Sequence, residues 1–100
     1  MPMKAIWKNK TIAESDDTIT IEGNIYFPPH SVSHDFLEKS GFHTLCYWKG
    51  LASYYHASDN KNREKNIAWY YPRPTWLSKK IMRKDFSNYV AFDGRVKITN

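Results

Sequence analysis

Two stretches decide the fold: His43-Thr44-Leu45-Cys46-Tyr47-Trp48-Lys49-Gly50-Leu51-Ala52-Ser53-Tyr54-Tyr55, and the aromatic block Ile67-Ala68-Trp69-Tyr70-Tyr71-Pro72. The segment from Leu51 to Ala57 mixes rings with small residues and reads as a strand, and Ile67–Tyr71 reads as its partner. Between them Ser58–Asn66 is polar and without hydrophobic period, so it predicts an exposed loop at the tip of a long hairpin. Alternation along a strand sends Tyr54 and Tyr55 to opposite faces, so only one of each adjacent pair of rings can serve a single pocket.

Working outward, Ala5–Lys8 and Thr11–Glu14 flank Asn9-Lys10, a two-residue hairpin connection in which Asn9 tolerates positive φ. Thr18-Ile19-Thr20-Ile21-Glu22 alternates with the period of a half-buried strand, and Gly23-Asn24 turns the chain into Ile25-Tyr26-Phe27. Pro28-Pro29 stops that strand. Val32–Lys39, with a serine cap and Phe36-Leu37 as its apolar side, predicts a helix of about two turns ended by Ser40-Gly41. Trp76–Met82 predicts a further short helix with Leu77, Ile81 and Trp76 turned inward. Tyr89–Thr99 reads as a hairpin around Asp93-Gly94. Short strands with one or two short helices imply a mainly β fold, either compact antiparallel sheets or a partly open barrel.

One hundred residues make a single domain spanning 1–100. Its core must lean on large rings, each burying roughly 150–250 Å². The formal charge of +5 favours anionic partners in general. The basic residues are dispersed except for Lys79-Lys80 and Arg83-Lys84, so a nucleic-acid-binding arm is not expected. The lone Cys46 excludes an intrachain disulfide and suits a reducing compartment. No apolar run is long enough for a signal peptide or a bilayer span, so the expectation is a soluble cytoplasmic protein without membrane contact.

The ordered set Ala13-Glu14-Ser15, Tyr26-Phe27-Pro28, His43-Thr44, Cys46, Lys49-Gly50, Ala52, Tyr54-Tyr55, Ala68-Trp69-Tyr70-Tyr71-Pro72 and Val90-Ala91-Phe92 resembles domain-of-unknown-function family 427, small and mostly bacterial proteins. The resemblance covers nearly the whole chain. It implies a compact, mainly β fold similar to the Mss4-like β-tent group; the family has been filed under a nucleotidyltransferase-like name. Family members often carry proline where this chain has Tyr47.

The candidate chemistry gathers at the first stretch. Cys46 is the candidate nucleophile, Lys49 the cation that would favour its thiolate, His43 the general base, and Glu14 or Asp35 the group that orients it. The competing reading makes Cys46 a small buried hydrophobe. Lys49 and Gly50 also offer an anion site, with Arg73 a second contact. Thr44, Gly50, Tyr54, Trp69, Tyr71 and Arg73 are the candidate ligand-binding residues for a small anionic or nucleotide-like molecule. His30-x-x-x-His34 with His43-x-x-Cys46 has spacing permissive for zinc, but a lone cysteine is an unusual set, and no metal ligand is assigned. These residues leave open whether the domain catalyses or only binds, which cofactor it uses, and whether it forms a homodimer.

Overall fold

The computed structural model describes residues 2–100 as nine strands and one α-helix. The strands are β1 (Met3–Trp7), β2 (Lys10–Ser15), β3 (Ile19–Ile21), β4 (Asn24–Tyr26), β5 (Leu37–Cys46), β6 (Gly50–Ser58), β7 (Arg63–Tyr70), β8 (Val90–Phe92) and β9 (Lys97–Thr99). The helix, α1, spans Trp76–Met82. Three antiparallel sheets form, in orders β2-β1-β9, β3-β4 and β5-β6-β7-β8, and none closes into a barrel.

The expected pairing of the two aromatic stretches is present: Ser53 lies opposite Tyr70, Tyr54 opposite Trp69 and Tyr55 opposite Ala68. Strand alternation then divides the rings. Tyr55 and Tyr70 stack at 4.5 Å and join Trp7, Ile12, Phe27, Val90 and Phe92 in a core between the four-stranded sheet and the β1–β2–β9 sheet. Tyr54, Trp69 and Tyr71 point the other way, into a second cluster with Ile21, Tyr26, Phe86 and Ala91. The small β3–β4 hairpin therefore covers the second face. It is fastened at Phe27, whose backbone exchanges hydrogen bonds of 2.8 and 2.9 Å with Val90.

Several expectations are corrected. No helix forms at Val32–Lys39; a single 3-10 turn occupies Pro29–Ser31, and β5 begins at Leu37. The Phe36-Leu37 pair offers too little apolar surface to hold two turns, whereas a strand lets Leu37 pair with Ala57 and Glu38 reach Arg63 at 2.6 Å. Ser40-Gly41 is not a helix stop but part of a bulge, where the register shifts between Lys39 and His43. The loop after β6 is shorter than Ser58–Asn66, because Asp59 accepts the amides of Lys61 and Asn62 (2.7 and 2.6 Å) and turns the chain so that Arg63 opens β7. The first hairpin turns at Lys8-Asn9, both with positive φ (49° and 64°), one residue before Asn9-Lys10. The next turns at Glu22-Gly23, one residue before Gly23-Asn24.

The tail is a turn but not a hairpin. Val96 does bond back to Asp93 (3.1 Å), yet β8 pairs with β7 while β9 crosses to β1. Phe92 and Val96 both enter the first core, so the chain switches sheets between them. Helix α1 stands where expected, capped by Thr75, whose side chain accepts from the Ser78 amide. Its orientation is reversed: Trp76, Leu77 and Ile81 are exposed, and Ser78 is the buried residue.

Candidate functional site

Lys49 is the one buried lysine among the described residues. It sits at the end of the turn Tyr47-Trp48-Lys49, between Cys46 and Gly50, which pair at the mouth of the β5–β6 hairpin. Two hydrogen bonds from Thr75 anchor that turn, its amide to the Lys49 carbonyl (3.1 Å) and its hydroxyl to the Trp48 carbonyl (2.5 Å). Gly50 makes the close approach possible. Its φ is +106°, and a Cβ there would lie 3.3 Å from the Arg73 carbonyl oxygen. A Gly50→Ala variant is accordingly expected to lose about 1–3 kcal/mol from backbone strain, read as a lower denaturant midpoint with unchanged slope.

The Lys49 side chain is 5% exposed and ends in an ion pair with Glu22, whose side chain is 52% exposed. Its ammonium also lies 5.0 Å from the Tyr71 ring centre and 5.4 Å from that of Trp48. Burial disfavours the ammonium, but the hydrogen bond to Glu22 and the phenols of Tyr26 and Tyr71 outweigh it, and its pKa is raised above the ordinary lysine value. The same bond holds the Glu22 carboxyl below its usual range. Burial pushes the Tyr71 phenol up to about 12 and raises that of Tyr26. Glu22 presents its carboxylate from a left-handed turn position (φ 54°), a conformation that glycine or asparagine adopts more readily.

Lys49, Tyr26, Tyr71, Trp69 and Tyr54 line one groove of about 320 Å³, with Asn24, Asn66 and Asp93 completing it. The Trp69 indole N–H donates to the Tyr26 hydroxyl (3.0 Å), fixing two of the rings edge to tip. Four candidate residues thus meet on one surface: Lys49, Tyr54, Trp69 and Tyr71. Thr44 supports it from outside, its hydroxyl 3.0 Å from that of Tyr54. A separate depression of about 360 Å³ lies beside Lys10, Asp35, Phe36, Asp59 and Lys61. There Lys10 and Asp59 pair at 2.8 Å, and Asp35 is the one candidate residue among those that line it.

The other candidates do not line this groove. Cys46 is half-buried and packs against the second cluster near Trp48. His43, three positions back on the same strand, projects to the opposite face and sits 3.0 Å from the Ser53 hydroxyl. Glu14 is exposed on β2 beside Lys4, next to Ser31 and Ser33. Arg73 is exposed, and its carbonyl rather than its guanidinium faces Gly50. His30 and His34 are exposed, and no three His, Cys, Asp or Glu side chains converge as metal ligands among the described residues. Glu22, Tyr26, Asn24, Asn66 and Asp93 were not legible as site residues, since each arrives by tertiary folding; the one local sign was an acid at the tip of an alternating hairpin.

The ionisable groups define a pH profile. Glu22, Asp59 and Asp85 have lowered pKa values, so the stability they supply is present above the ordinary carboxylate pKa and lost as pH falls through their folded values. Lys49, Tyr26, Tyr55 and Tyr71 have raised values, so their contribution is present below the unfolded pKa, about 10, and lost as pH rises through the folded ones. Urea unfolding across pH should show a plateau between about 5 and 9.5 with a decline on both sides.

No curated protein matches the chain. The model of a domain of unknown function, DUF427, matches residues 1–99, and the chain belongs to that family.

Proposed function

We propose that the domain binds a small, ring-bearing anion of nucleotide-like chemistry in the Lys49 groove, without covalent catalysis. The observation that carries this reading is the nearly sealed Lys49 ammonium, neutralised only by a half-exposed carboxylate on a turn. An incoming phosphate or carboxylate would take the place of Glu22, which can swing into water at small cost. The faces of Trp69 and Tyr54 would hold the ring, and the Asn24 and Asn66 amides would bond to its polar edge. Cys46 stands outside the groove and serves packing in this reading. A lone thiol suits the reducing cytoplasm.

Thermal melting tests the reading. A ligand at a hundredfold excess over its Kd stabilises the folded state by about 2.7 kcal/mol. Nucleoside monophosphates and aromatic carboxylates should raise the Tm of the natural chain but not of Lys49→Met. Uncharged nucleosides should have little effect on either. If no ring-bearing anion shifts the melting of the natural chain, the groove is not such a site.

A further inference from the structure

Helix α1 and its flanks carry Arg73, Lys79, Lys80, Arg83 and Lys84, and no acidic residue lies between 73 and 84. None of these five forms an ion pair among the described residues, although Asp85, bonded to Ser87, lies within Coulombic reach of Lys79. The same helix exposes Trp76 (72%), Leu77 and Ile81. Thr75 ties its start to the β5–β6 turn, so Tyr47 (94% exposed) and the cross-strand pair Leu45 (78% exposed) and Leu51 belong to the same end of the molecule. Projecting aromatic and aliphatic side chains therefore meet an uncompensated positive field there.

We propose that this end docks on an anionic lipid surface. Residues this exposed stand out from the fold and suit a planar, penetrable partner better than a pocket. Trp76 and Tyr47 have the amphipathic rings that settle at headgroup depth, and Leu77 and Ile81 reach the acyl boundary. The neighbouring lysines and arginines meet the negative surface potential. A second copy of the chain is disfavoured as occupant, because it would bring a like-charged face against this one. No helix is long and apolar enough to cross a bilayer, so the contact is peripheral.

The test is co-sedimentation with phosphatidylcholine vesicles, with and without phosphatidylserine, at low and high salt. The natural chain should pellet with the anionic vesicles only, and roughly tenfold less at high salt as screening grows. A Leu77→Ser/Ile81→Ser double variant, altered only at exposed positions, should keep its melting temperature and lose binding about tenfold, since each buried apolar side chain contributes to insertion. The proposal is overturned if the chain stays in the supernatant at low salt or binds neutral vesicles equally. It also fails if the double variant binds as well as the natural chain, or if the patch instead drives self-association that the double variant abolishes.

Discussion

Replacing Trp7 by alanine is expected to cost about 3–5 kcal/mol, the range for emptying a buried aromatic site. Trp7 is fully buried where β1 meets the four-stranded sheet, and its indole N–H donates to Glu64 at 3.2 Å. Substitution opens a cavity among Ile12, Ile67 and Val96, and also removes the donor that links β1 to β7. Lys8 and Arg95 remain near Glu64 at 3.6 and 3.5 Å, so the carboxylate is not stranded and the loss is mainly one of packing. For a domain of this size each kcal/mol moves Tm by about 4–8 °C. Since domains typically hold only about 5–15 kcal/mol in reserve, the variant should lie close to the limit of folding. Trp76→Ala is the matched control: an exposed ring should cost no more than about 0.5 kcal/mol. Denaturant midpoints of the two variants check the contrast; equal losses would mean that the first core is not where the fold is held.

The second large effect is an asymmetry within the Lys49–Glu22 pair. Glu22→Gln leaves a nearly sealed ammonium with only rings and phenols for company, and is expected to cost about 2–3 kcal/mol. That figure sits below the range for breaking a fully buried pair, because Glu22 is half in water and partly screened. Lys49→Met removes the charge with little change in volume, and the freed carboxylate simply hydrates. The change should stay within about 1 kcal/mol in either direction. In Glu22→Gln the Lys49 pKa should fall, because burial then acts without its main opponent. Chemical denaturation of both variants decides the matter. Equal costs would show that the ion pair contributes as a bond and not as compensation for a buried charge.

The central hairpin was legible because its rings and small residues alternate, and that alternation also separated Tyr54 from Tyr55 correctly. Strand β5 was not legible. Its polar first half, Glu38-Lys39-Ser40-Gly41, has no strand period, and its support comes from Ala57 and Arg63 across the sheet. Asp93-Gly94 announced a reversal, but a turn motif carries no information about which sheet the next strand joins. Helix α1 could be placed, while its exposed face contradicted the rule that apolar side chains turn inward. Of the candidate site, Lys49 was conspicuous as a cation among rings. Its partner Glu22 lies twenty-seven positions away in sequence, and only the covering of the second face by the β3–β4 hairpin brings the two together.

The most direct test of the groove is an amide and indole chemical-shift titration with a nucleoside monophosphate. The account predicts that the Trp69 indole N–H and the Lys49 and Tyr71 amides move together with one Kd, while the Trp7 indole in the opposite core stays fixed. Those shifts should vanish in Lys49→Met. A titration that moves neither Trp69 nor Lys49, or that proceeds unchanged in Lys49→Met, would contradict it.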